Sequence, residues 1–210
     1  SKIGCHANLL SFHGLVFVLL TCMATGADVT HPSPDSSEPS IAAVVATTSD
    51  TFGKYAAEFA AQPSRQEIIS DLGTMLQSLL MVYRKKNNCL PQKVIFYRDG
   101  VSEGQFAAVL NEEIPLIRGA FQRVREKVST FTIISKHVVH PFDFDWYGLS
   151  HAGLLGTSRS SHYTVLVDDA KMTPNALQKV RCFLVFLFCY LYSRSTRSVS
   201  IATPAYYAHH

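Results

Sequence analysis

Residues 93–100, Lys93-Val94-Ile95-Phe96-Tyr97-Arg98-Asp99-Gly100, open with a short β-rich run, Lys93 to Tyr97, and end on a carboxylate and a glycine. Helical patterns stand on both sides of it. Upstream, Ile68, Leu72, Met75, Leu76, Leu79 and Tyr83 follow the i, i+3/i+4 spacing of one buried helix face, and Ser64 is placed to open that helix. Arg84-Lys85-Lys86 fall in its last turn, where cations complement the helix dipole. Downstream, Gln105 to Lys127 reads as a second helix, which Pro115 is expected to kink or break.

Further out, Ile41 to Thr47 and Lys54 to Ala61 read as strands of an antiparallel meander, preceded by the Pro- and Ser-rich turn His31 to Ser40. Thr130 to Ile134, Val138 to Phe144 and Tyr163 to Val167 are further strand candidates. Thr173 is a suitable N-cap with Pro174 at the first helical position, opening an apolar helix to about Tyr192. Strands first, then alternating helix and strand, predict an α/β domain with a mixed sheet.

Leu9 to Ala24 is almost continuously apolar and carries three readings. It imitates a secretory signal peptide, with Lys2 ahead and the small Ala24 and Gly26 behind. It is short for a membrane span, which needs about 20 residues. Leu15 to Leu20 also has the texture of a buried central strand.

The chain has 210 residues, 47% apolar and 17% charged, enough to bury a core in one domain or two small ones. No repeat of 20–50 residues is visible, which rules out a solenoid. A net charge of +3 permits a polyanionic partner without requiring one. The five cysteines form no C-x-x-C pair and their number is odd, which argues against a zinc ribbon or a disulfide framework. Cys182 and Cys189, seven apart in an apolar run, read as core packing.

Asp28, in Gly26-Ala27-Asp28-Val29-Thr30-His31-Pro32, and Asp99 each terminate an apolar run. Two carboxylates at the ends of neighbouring buried strands repel each other, and such a pair normally holds a cation. Hard divalent ions take oxygen ligands, and two of them about 3.5–4 Å apart can clamp the attacking and leaving oxygens of a phosphodiester. The alternative for Asp99 is a plain Asp-Gly turn. Glu67 reads as the reach-back member of a capping box, Ser64-Arg65-Gln66-Glu67. By position alone His209 is an exposed residue near the end of the chain.

Four motifs occur in one order: GADVTHP (26–32), VIFYRDGVSEGQF (94–106), SHAGLLGTSRSSHY (150–163) and TRSVSIATPAYYAH (196–209). Together they closely resemble the Piwi domain of eukaryotic Argonaute proteins, from Gly26 to His210. Ser1 to Thr25 shows no such likeness, which sets an apolar segment of residues 1–25 ahead of a Piwi domain of residues 26–210. Between Ile134 and His140 the chain is several tens of residues short of the family pattern, including a basic segment.

The resemblance implies an RNase H-like fold, a mixed central sheet flanked by helices. It implies guide-directed RNA cleavage at a D-E-D-H site formed by Asp28, Glu67, Asp99 and His209. In that site Asp28, Asp99 and His209 hold Mg²⁺ or Mn²⁺, and Glu67, on a loop, helps orient the attacking water. Arg159, Arg194, Ser200 and Tyr206 match positions that contact the 5′ phosphates of the guide. The implied partners are a small guide RNA, its complementary target RNA and silencing-complex proteins, in the cytoplasm and also the nucleus, with no membrane. With a shortened loop, this chain alone is expected to cleave RNA poorly or not at all. The competing reading is a non-catalytic RNA-binding or protein-docking module.

Overall fold

The structure, a computed structural model, describes residues 22–49, 52–124, 129–135, 145–149, 160–169 and 185–210. The strand expected at Val138 to Phe144, the cap at Thr173 and the run Leu9 to Thr21 lie outside them. The strands are β1 (Cys22–Thr30), β2 (Ser40–Thr47), β3 (Tyr55–Gln62), β4 (Lys93–Arg98), β5 (Ser129–Ser135), β6 (Asp145–Gly148) and β7 (Ser161–Asp168). They form one sheet in the order β3-β2-β1-β4-β5-β7-β6. The expected meander is there: β1 pairs antiparallel with β2, and β2 with β3. β4 lies parallel to both β1 and β5, and β7 is antiparallel to β5 and β6, so the sheet is mixed. β1 takes in Cys22 to Thr25, ahead of the Gly26 at which the sequence motif starts. β6, only four residues long, has no counterpart in the sequence expectations.

The helices among the described residues include the following three. Helix α1 (Leu72–Asn87) buries Leu72, Met75, Leu76, Leu79, Leu80 and Tyr83. It ends at Asn88 in the left-handed region, φ 57°, a conformation asparagine tolerates at a helix end. Helix α2 (Ile114–Arg123) continues a helical run that begins at Glu103. The disturbance expected at Pro115 is a π-helical turn over Val109–Glu113 rather than a break. Proline has no N–H to give and its ring collides with the carbonyl four residues back, so the register widens by one residue ahead of it. Helix α3 (Thr203–His209) closes the chain, with Pro204 in its first turn.

Helices cover both faces of the sheet. On one face, α1 and α2 bury Met23, Ala27 and Val29 of β1 and Val94 and Phe96 of β4. On the other, Val185, Phe188 and Cys189 and the start of α3 pack on Cys22, Ala24, Ile95 and Tyr97. The buried Cys189 is therefore core, as its apolar setting predicts. The two-residue alternation of a strand makes this division. Gly26 and Asp28 face the α3 side, and Ala27 and Val29 face the α1 side. Among the described residues, no helix is long and apolar enough to cross a membrane.

The helix expected from Ser64 does not begin there. Residues 63–71 are a loop and α1 starts at Leu72. Arg65 has φ 63°, a left-handed value incompatible with a helical turn. The loop's backbone groups find partners elsewhere: Arg65 N–H donates to Ser40 Oγ at 2.9 Å, and the Gln66 carbonyl accepts from Gln62 Nε2 at 2.5 Å. Tertiary hydrogen bonds thus replace the first helical turn, and Ser64 and Glu67 form no capping box. One does form at Ser102, whose N–H donates to the Gln105 side chain at 2.9 Å.

Candidate metal centre

The parallel pairing of β1 with β4 sets the site. Gly26 stands opposite Tyr97 and Ala27 opposite Arg98. One residue on, Asp99 N–H donates to the Ala27 carbonyl at 2.9 Å and extends the ladder beyond the strand's end. Asp28 and Asp99 therefore emerge side by side at the C-terminal ends of adjacent parallel strands, on the α3 face. Asp28 is 5% exposed.

His209 reaches this pair from the end of α3. Its Nδ1 lies 2.7 Å from Asp28 Oδ2. The contact depends on how closely α3 approaches the sheet. A Cβ on Gly26 would stand 2.1 Å from the Pro204 carbonyl oxygen, so only glycine admits the helix here. Ligand atoms of Asp28, Asp99 and His209 all lie within 4.8 Å of one another. Residues from three distant motifs are thus one cluster, and His209 is a member of it rather than a silent terminal residue.

Glu67 closes the site from the β3–α1 loop. Gly100, at φ +83°, separates it from Asp28: a Cβ there would lie 2.8 Å from Asp28 Oδ1 and 3.1 Å from Glu67 Oε1. Glu67 Oε2 lies 2.8 Å from His31 Nε2, and His31 Nδ1 is 2.8 Å from Ser40 Oγ. Glu67 Oε1 accepts from Arg98 Nη2 at 3.2 Å, and the Glu67 carbonyl accepts from the same nitrogen at 2.6 Å.

Arg98 is the opposite-facing neighbour of Asp99 and is fully buried. Its Nη1 donates to the Asp99 carbonyl. Its Nε donates to both oxygens of Glu113, at 3.2 and 3.1 Å. Burial pushes the Glu113 carboxyl above its ordinary value, opposed by the Arg98 charge and the Ile69 N–H. His31, Ser40, Arg98 and Glu113 have no role in the sequence reading. An arginine inside a buried strand is itself a signal, because a buried guanidinium needs anionic or carbonyl partners.

The guide-contact positions are more scattered. Arg159 lies outside the described residues. Arg194 and Ser200 are exposed, and the Ser200 carbonyl accepts from Ser161 Oγ at 2.7 Å. Tyr206, on α3, packs edge-on against Tyr192 at 4.7 Å between ring centroids. Tyr207 beside it contacts the Tyr55 ring at 4.6 Å and fixes α3 across the sheet.

Two carboxylates and an imidazole within reach of one point fit a divalent cation with oxygen-rich coordination. The Arg98 guanidinium is paired with Glu113 and Glu67.

Comparisons with known proteins find related sequences and folds. A family model described as the Piwi domain matches residues 2–134 and 126–210. Protein argonaute MEL1 of Oryza sativa subsp. japonica is 40% identical over 88% of this chain and 22% of its own length. Protein argonaute 2 of the same species is 40% identical over 89% of this chain and 21% of its own. The chain thus spans about a fifth of these relatives. The C-terminal lobe of a budding yeast Argonaute superposes with a TM-score of 0.81 at 26% identity, over 90% of this chain and 45% of that one. Kluyveromyces polysporus Argonaute, solved with a guide RNA, gives 0.79 at 27% identity, over 90% and 27%. With its mixed, helix-flanked sheet of RNase H-like type, this chain belongs to the Piwi domain family.

Proposed function

We propose that this domain acts in small-RNA-guided silencing, binding a guide–target RNA duplex and hydrolysing a phosphodiester of the target. The observation that carries this reading is the convergence of Asp28, Asp99 and His209 ligand atoms within 4.8 Å, beside Glu67. Its likeness to an Argonaute solved with a guide RNA supports the choice of substrate.

Asp28, Asp99 and His209 would hold Mg²⁺ or Mn²⁺, with Asp28 central because it touches His209 and borders Gly100. A bound divalent ion supplies Lewis acidity toward the phosphate and makes water more acidic. Glu67 keeps free lone pairs beyond its bonds to His31 and Arg98, so it can accept a hydrogen bond from water and orient it. The exposed Arg194 and the hydroxyls of Ser200 and Tyr206 would meet guide phosphates, arginine through its planar fork. Arg159 would join them. Silencing-complex proteins would be further partners, in the cytoplasm and nucleus.

The test is a labelled RNA target paired to a 5′-phosphorylated guide, incubated with this chain and Mg²⁺. Slow single-site cleavage that Asp99→Ala abolishes is expected. Equal behaviour of the two proteins would overturn the cleavage reading and favour a non-catalytic RNA-binding module.

A further inference from the structure

Glu113 lies outside the four-residue cluster, yet it is fully buried and contacts two of the segments that form it. Its Oε1 accepts from the Ile69 N–H at 3.0 Å, two residues after Glu67. Both oxygens accept from Arg98 Nε, one residue before Asp99. The other end of the same guanidinium reaches the Glu67 side chain, the Glu67 carbonyl and the Asp99 carbonyl. One carboxylate thus ties the Glu67 loop and the end of β4 to each other.

Its placement follows from the helix that carries it. Glu113 is the last residue of the π-helical turn ahead of Pro115. A π turn rotates the following residues relative to an α-helical register. At i, i+4 and i+8, Val109, Glu113 and Ile117 lie along one inward face of the run, and all three are fully buried.

We infer that Glu113 is a positioning residue for the cation site: through Arg98 and the Ile69 amide it holds the Glu67 loop and Asp99 in register. It touches no substrate and no reacting atom. The role is more than packing because an apolar residue of similar size would fill the space and leave Arg98 and the Ile69 N–H without their acceptor. Groups that orient ligands from behind in this way typically change metal affinity by 10–100-fold when removed.

The inference rests on the cation reading of Asp28, Asp99 and His209, and the experiment separates the two. Mn²⁺ binding to the chain is measured by counting free Mn²⁺ by electron paramagnetic resonance, for wild type, Asp28→Asn, Glu113→Gln, Glu113→Asp and Leu79→Ala. Amide exchange of Ile69 is followed in the wild type. Leu79 is buried on α1, away from the network, and calibrates simple loss of stability. Wild type is expected to bind Mn²⁺ and Asp28→Asn to lose it. Glu113→Gln should weaken binding at least about tenfold, Glu113→Asp should recover part of it, and folded Leu79→Ala should match wild type. The Ile69 amide should be as protected as those of α1.

Unchanged Mn²⁺ affinity in folded Glu113→Gln would overturn the inference. An Ile69 amide exchanging like an exposed loop would do the same, even if the Gln variant fails to fold. If the wild type binds no Mn²⁺, the cation reading falls and the tie between loop and strand is decided by Ile69 exchange alone.

Discussion

His209 Nδ1 lies 2.7 Å from Asp28 Oδ2, across 181 residues of chain. The last turn of the last helix thus completes a site whose other end is in the first described strand. What makes this possible is a residue with no functional group at all, Gly26, which lets the start of α3 touch the backbone of β1.

Gly26→Ala should therefore act at a distance. The new Cβ, 2.1 Å from a backbone oxygen, has no flexible neighbour to displace and must lift α3. Overpacking of this kind costs about 1–3 kcal/mol. Urea unfolding should show that loss, and Mn²⁺ affinity should fall as His209 leaves Asp28.

At Gly100 the expectation is different. Alanine there meets two penalties, a positive φ worth about 1–3 kcal/mol and a Cβ wedged between the Asp28 and Glu67 carboxylates. Guide-directed cleavage should drop on the order of 10²-fold, since small misplacements of reacting groups cost that much. Side-by-side thermal unfolding and cleavage assays should show activity lost at temperatures where the variant is still folded.

Arg98→Met tests the buried ion network. It leaves Glu113 and the inner oxygen of Glu67 without their cation, and breaking a buried pair from one side costs about 3–5 kcal/mol. Denaturant titration should give a loss in that range. A loss under 1 kcal/mol would mean the two carboxylates find other partners.

Alkaline stability should also change in a defined direction. Burial pushes the Cys22 thiol from 9.0 up to about 12. The unfolded chain therefore releases this proton first, and stability falls as pH rises from 9 toward 12. Tyr55 and Tyr163, raised by burial as well, act in the same direction. Cys22→Ala should make the loss in urea midpoint over that pH window smaller than in wild type.

The sheet was legible because its strands are short β-rich runs between turn signals, and β2, β3, β4, β5 and β7 fall within two residues of where composition puts them. The start of α1 was not. Ser64 to Glu67 satisfies a local capping pattern, but the loop's amides bond to Ser40 and Glu113, residues 25 and 44 positions away. Local patterns cannot register such partners. Pairing of Asp28 with Asp99 followed from their similar settings at the ends of apolar runs. His209 reached the site in the sequence only through its motif, since nothing in the spacing of 181 residues implies a contact. Arg98 and Glu113 were overlooked although period-two alternation puts Arg98 on the face opposite Asp99.

The most direct test of the account is the position of a bound cation. Crystals of this chain grown with Mn²⁺ and measured at the manganese edge should show an anomalous peak about 2.1 Å from oxygens of Asp28 and Asp99 and within ligand reach of His209. A fully ordered site with no peak between these residues, at saturating Mn²⁺, would contradict it.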